Sequence, residues 1–235
     1  MPSKTRWLCR LKGRPKNLKI SDKTVKIDPL TPERGLILKA ASVIRNGGVV
    51  LFPTTNLYGL AADAYDTKAI ERIYRIKGRS SENPLLVLVD GHMMLSCIAK
   101  NIPLMAQKIM QTFWPGGITI IFEASESLPA VLTAGTGKIG IRRPGHPVAL
   151  ALVRAVAGPI TGTSANLSGS AGCHRISDID PDVADQVDMI IDTGDLKGGS
   201  GSTVVDFTGE YPVVIREGAV PKNRILEALN LTGGS

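Results

Sequence analysis

The sequence predicts an α/β protein built on a mixed sheet. Three observations carry that prediction. Helix-period and strand-type segments alternate from about residue 33 onward. The last strands follow one another without helices between them, which requires part of the sheet to run antiparallel. Gly, Ser, Thr and Pro collect at strand ends, where open α/β sheets carry their ligand loops.

The elements follow from period and punctuation. Arg34 to Arg45 reads as a helix with Leu36, Ile37, Ala40, Ala41 and Ile44 on one stripe, stopped by Asn46-Gly47-Gly48. Val49 to Phe52 is a short strand of the buried type. Thr67 to Ile76 is the next helix, turning Ile70, Ile73 and Tyr74 inward. Leu85 to Val89 is a strand and Pro103 to Phe113 a helix. Ile118 to Phe122 and Ile139 to Ile141 are strands. Val148 to Val156 is a helix and Pro159 to Gly162 a strand. Val187 to Ile191, Ser202 to Asp206 and Val213 to Arg216 close the sheet, and Ile225 to Leu229 begins a final helix.

The 235 residues suit one α/β domain, assigned to 31–235, preceded by a basic arm over 1–30. Hydrophobic residues make up 43% but aromatics only 4%, so Val, Ile, Leu and Ala must fill the core. The net charge of +7 is uneven: residues 1–26 carry about +8, leaving the body near −1. Any cationic site in the body must therefore be made by local arrangement. The arm reads as a solvated tail or as a contact for RNA phosphates, with Trp7 its one aromatic. Cys9, Cys97 and Cys173 are far apart, which fits a reducing compartment and no disulfide framework. No apolar run reaches membrane-spanning length and no secretory core opens the chain, so a cytoplasmic protein without a membrane partner is expected.

Several chemistries are excluded by pattern. No G-x-x-x-x-G-K-[ST] is present, and the glycines before Ser202 lead into a strand, the wrong context for a dinucleotide fingerprint. His92, His146 and His174 lack metal-ligand spacing, so no metal ligand is assigned. No nucleophile elbow is present. What remains is a set of separated loops rich in hydroxyls and cations: PTTNLYG, KGRSSENP, WPGG, RRPGHP, GTSANLSG and GGSGSTVV. Each alone reads as a turn. Lys77 and Arg79 at a helix end offset its dipole, or grip a triphosphate together with Asn83. Arg142 and Arg143 alternate to opposite faces of a strand; Arg142 shares a face with Lys138 and Gly140, and Gly140 leaves room for a ligand. His146 before Pro147 reads as a helix-start residue. Ser164 and Asn166 form a helix cap, or expose backbone N–H groups to an anion.

Taken in order, PTTNLYGL, KGRSSENPL, WPGGITIIF, IGIRRPGHP, TSANLSG, GSTVVDF and VIREG resemble the YrdC-like family over roughly residues 33–220. Its best-characterised members are threonylcarbamoyl-AMP synthases. The resemblance implies a twisted open mixed α/β sheet with flanking helices around a deep positive cavity. It implies condensation of L-threonine, bicarbonate and ATP into threonylcarbamoyl-AMP and pyrophosphate, with a downstream transferase complex moving the group to tRNA. Lys77 and Arg79 would be catalytic. Lys77, Arg79, Asn83, Lys138, Ser164, Asn166 and Arg216 would bind ATP, and Mg2+ would enter with it. Thr54, Thr55, Asn56, Arg142 and Ser202 would bind threonine. The family often has threonine at position 56 and histidine at position 88, where this chain has Asn56 and Leu88. Longer synthases continue into a further domain, which is expected to be missing after Arg216. AIERIYRIK and YPVVIREG are also similar to the YciO branch, which keeps open a protein that binds nucleotide, tRNA or double-stranded RNA without synthase activity. A related carbamoyl-adenylate domain in hydrogenase maturation occurs in longer chains with zinc-finger-like cysteines, which this chain lacks.

Overall fold

The computed structural model describes residues 20–230. The elements are α1 (Ile20–Lys23), β1 (Thr24–Lys26), α2 (Arg34–Arg45), β2 (Val50–Pro53), β3 (Tyr58–Ala61), α3 (Thr67–Lys77), β4 (Val87–Leu88), α4 (His92–Ile98), α5 (Leu104–Phe113), β5 (Ile118–Glu123), α6 (Ala130–Thr133), β6 (Lys138–Arg142), α7 (Pro147–Val156), β7 (Ile160–Thr161), β8 (Thr163–Ser164), α8 (Pro181–Gln186), β9 (Met189–Asp192), β10 (Thr203–Asp206), β11 (Val213–Arg216) and α9 (Lys222–Leu229). The mixed α/β class stands, but the strands divide between two sheets rather than forming one. One runs β1-β9-β2-β3-β8; the other runs β11-β10-β5-β6-β4-β7. Both mix parallel and antiparallel pairs, and β10 and β11 form the antiparallel hairpin expected of consecutive late strands.

The chain crosses between the sheets at Gly162. β7 ends on Thr161 and pairs with β4, while β8 starts on Thr163 and pairs with β3. A Cβ at Gly162 would lie 2.7 Å from Leu88 Cγ and 2.9 Å from Leu86 Cδ1, so only glycine lets the crossover pass this close. That crossover brings the 162–166 segment over the end of the second sheet, where the cavity opens.

The helices close the sheets in the way their stripes require. Ile37, Ala40, Ala41 and Ile44 of α2 are buried against α7, whose Val148, Ala149, Leu152 and Val153 face them in the same core cluster. Ile70, Ile73 and Tyr74 of α3 join the other cluster, between α3 and the β3–β5 region. Full burial of one such Ile is worth about 1.5–3 kcal/mol. Asp66 caps α3 by accepting from the Lys68 and Ala69 amides at 2.9 and 3.2 Å. Gly78 ends it at φ 54°, the left-handed conformation that glycine adopts without strain.

Some elements lie where the sequence shows no regular segment. β3 hides inside PTTNLYGLA, and short α4, α6 and α8 have too few turns to display a period. β1 lies within the segment assigned to the basic arm, yet it pairs in parallel with β9, and Lys23 Nζ donates to Asp185 O at 2.9 Å. The cations of residues 1–19 lie outside the described residues.

Candidate active site

One face of the second sheet forms the floor of a cavity of about 810 Å³. Alternation supplies that floor: Thr119 and Ile121 from β5, Lys138, Gly140 and Arg142 from β6, and Val204 from β10 all line it. Gly140 keeps the floor low, since a Cβ there would sit 3.2 Å from Thr119 Cγ2 and 3.4 Å from Leu86 Cβ. Loops make the walls: Thr54 to Leu57 after β2, Arg79 and Pro84 after α3, Gly162 to Asn166 at the crossover, and Ser200 to Ser202 before β10. This volume suits a small-molecule or nucleotide ligand.

The lining is cationic. Arg79, Lys138, Arg142 and Arg216 face the cavity, and no Asp or Glu does so among the described residues. Burial lowers the Arg142 guanidinium to about 10, and its Nε donates to Gly116 O at 2.6 Å, which fixes the plane of the fork. Burial and the nearby Arg216 charge hold Arg79 below the usual arginine range. Arg79 is oriented by the carbonyls of Asn83 and Pro84, each 3.1 Å away. Arg216 Nη2 donates to Ser202 O at 2.8 Å. Lys138 sits at the rim, 3.1 Å from Asp206. Arg79, Arg142 and Arg216, held by neutral carbonyls, keep their charge for a ligand, and three such cations around one space call for a polyanion.

Hydroxyls tie other parts of the lining together. Ser202 Oγ and Thr119 Oγ1 are 2.7 Å apart and buried. Thr54 Oγ1 donates to Leu57 O at 2.6 Å, closing the loop on itself. Thr55 Oγ1 is buried with no partner. Asn56 Nδ2 donates to Ser200 O at 2.8 Å, and Gly198 N donates back to Asn56 O at 2.9 Å, stapling two walls together. Position 88 has a different role: Leu88 is buried in the core with α2 and α7 and does not line the cavity.

Of the predicted residues, Thr54, Thr55, Asn56, Arg79, Lys138, Arg142, Ser164, Asn166, Ser202 and Arg216 line this one space. Lys77 and Asn83 do not. Gly78 ends the helix between Lys77 and Arg79 in the left-handed conformation. Lys77 is 2% exposed, with its Nζ donating to Ser164 O and, at 2.6 Å, to Asn166 O. Asn83 is exposed; its carbonyl accepts from Arg79 and Tyr74, and its backbone N–H donates to Ser80 O. His146 accepts from Val148 N at 3.2 Å, as a helix-start residue does. Thr119 was missed, although a hydroxyl inside the otherwise apolar run Ile118–Phe122 is a legible signal.

Comparison with known proteins places this chain in a family. The sequence model of the Sua5/YciO/YrdC family, described as "Telomere recombination", matches residues 42–218. The threonylcarbamoyl-AMP synthase of Pyrococcus abyssi is 38% identical over 186 residues, 79% of this chain and 55% of that protein. A crystal structure of P. abyssi Sua5 complexed with L-threonine superposes with a TM-score of 0.83 at 35% identity, covering 87% of this chain and 60% of that one. The crystal structure of E. coli YciO superposes with a TM-score of 0.79 at 31% identity, covering 88% of this chain and 98% of that one. The chain thus spans somewhat over half the length of the first curated relatives it matches, 55% and 58%. No helix of the described residues is long and apolar enough to cross a membrane. The profile match over most of the chain and the shared α/β architecture lead to one statement: this chain belongs to the Sua5/YciO/YrdC family.

Proposed function

We propose that the chain is an L-threonylcarbamoyl-AMP synthase, condensing L-threonine, bicarbonate and ATP with release of pyrophosphate. One observation carries the reading: Arg79, Lys138, Arg142 and Arg216 converge on a single cavity with no acidic residue in its described lining. Threonine's amine nitrogen first bonds to the bicarbonate carbon, and water leaves as the carbamate forms. A carbamate oxygen then bonds to the α-phosphorus as the bond to the bridging oxygen breaks, and the electron pair leaves with pyrophosphate. No enzyme nucleophile is required, only orientation and stabilisation of negative charge.

Arg79 and Arg216, with Lys138 at the rim, hold the phosphates in this reading. Arg142 and Ser202 take the threonine carboxylate, and Thr54, Thr55 and Asn56 bound the amino-acid end. Ser164 and Asn166 meet the nucleoside. The cavity wall offers no carboxylate, and among the described residues no cluster of three or more His, Cys, Asp or Glu could hold a metal. Mg2+ would be carried by triphosphate oxygens, its usual partners in such sites, rather than by a dedicated protein cage. A product destined for tRNA implies a cytoplasmic enzyme and a downstream transferase complex.

The direct experiment incubates the chain with ATP, Mg2+, bicarbonate and each amino acid in turn and follows pyrophosphate. Release that depends on threonine and on bicarbonate is expected. Absence of release with every amino acid would overturn the reading and leave a nucleotide- or RNA-binding protein.

A further inference from the structure

The geometry points to Lys77 as a positioning residue: its side chain holds the Ser164–Asn166 turn so that Asn166 Oδ1 presents a fixed acceptor to an N–H or O–H donor of a bound nucleoside, while Lys77 itself touches no phosphate. The inference rests on the cavity being a nucleotide site and specifies how one wall of it works.

Lys77 grips the segment at more than one point. Its Nζ donates to Ser164 O and Asn166 O, and its own carbonyl accepts from Ser168 N at 2.8 Å. It is 2% exposed and absent from the cavity lining. Burial lowers its ammonium to about 8, but the neutral amine still donates two N–H groups, so the grip survives either state.

The turn it holds carries an incomplete side chain. Asn166 Nδ2 donates to Leu167 O and Ser170 O, both at 2.7 Å. Carbonyls only accept, so these contacts spend both amide hydrogens and settle which end of the amide is oxygen. Asn166 is 8% exposed, lines the cavity, and its Oδ1 is buried without a partner. A buried acceptor is costly to leave unmatched. A phosphate oxygen cannot satisfy it; a donor can. ATP offers such donors on its ribose and on its exocyclic amine.

Calorimetric titration of the full chain separates the two roles of Lys77. The probes are inorganic triphosphate, ATP, its 2′- and 3′-deoxy analogues, and inosine triphosphate, which lacks the amine. Lys77→Met is expected to keep triphosphate affinity within about twofold and to weaken ATP by about ten- to hundredfold, as Asn166→Ala does. The double variant should bind ATP no worse than either single one, because both changes remove the same contact. Asn166→Ala should also lose discrimination against whichever analogue lacks the matching donor. The inference fails if Lys77→Met weakens triphosphate as much as Arg79→Met does, or if the two losses add. Should Lys77→Met not fold, Asn166→Ala decides: unchanged discrimination among the analogues refutes the acceptor. Hydrogen exchange across 164–170 gives an arm that needs no ligand. Faster exchange in Lys77→Met but not in Arg79→Met supports the grip even if the wild type binds no nucleotide and the synthase reading falls; equal exchange in the two variants overturns it.

Discussion

Replacing Arg142 by lysine keeps a formal charge at the floor of the cavity and still should disable it in a pH-dependent way. Burial brings the guanidinium down to about 10. An ammonium starts below a guanidinium, so the same loss of hydration would carry it lower still. The charged form is the one that binds a carboxylate, and it exists below the pKa. Arginine therefore keeps its charge to a higher pH than the lysine would. A second loss precedes any titration. Arg142 Nε donates to Gly116 O at 2.6 Å, leaving the rest of the fork for a ligand. Lysine cannot divide its donors in that planar way, and a lost charged hydrogen bond is worth about 1.5–3 kcal/mol, roughly a ten- to hundredfold rise in KM at pH 7. The assay is pyrophosphate release at saturating ATP, with threonine titrated at each pH from 7 to 9.5. Between pH 7 and 9 the threonine kcat/KM of Arg142→Lys should fall further than that of the wild type. Parallel profiles with an unchanged KM would refute both the burial argument and the role assigned to Arg142.

Three further outcomes follow from named contacts. Gly218→Ala places a Cβ against the backbone of Gly201 and Ser202, 2.7 Å from Ser202 O, so the segments flanking β10 and β11 must shift apart. A loss of about 1–3 kcal/mol is expected, read by thermal melting, with a raised KM for ATP because Arg216 loses the Ser202 carbonyl. Asp66→Ala removes the cap of α3 at the end opposite Arg79. It should cost about 1 kcal/mol, lowering Tm by roughly 2–4 °C, with catalytic constants unchanged; an altered kcat would contradict the assignment. Lys138→Ala breaks an ion pair at the rim whose lysine is 48% exposed. Its stability should change by less than about 1 kcal/mol, and its KM for ATP by less than that of Arg79→Ala or Arg216→Ala, measured side by side by initial rates.

The loops of the site were legible because their chemistry is local. A strand that alternates Lys138, Gly140 and Arg142 shows one face in any α/β fold, and the cavity floor follows that alternation. The two-residue spacing of Lys77 and Arg79 does not by itself tell that Arg79 lines the cavity and Lys77 is buried behind it. Gly78 lies between them in the left-handed conformation at φ 54°. Leu88, at the position where the family often has histidine, packs in the α2–α7 core. Its backbone is two residues from Leu86, which does line the cavity, so sequence distance alone cannot tell the two apart.

The sequence by itself determined the mixed α/β class, the amphipathic stripes of α2 and α3, and the cationic and hydroxylic loops, because each depends on residues within a turn or two of one another. The tertiary structure alone decided the rest. It split the strands between two sheets at Gly162, where the nearest obstacles to a Cβ are Leu86 and Leu88, some 75 residues earlier in the chain. It placed Thr119 against Ser202, and it buried Lys77 beneath Ser164 and Asn166. Those contacts join positions more than 80 residues apart, and only the packed crossover and paired strands bring them within hydrogen-bond reach.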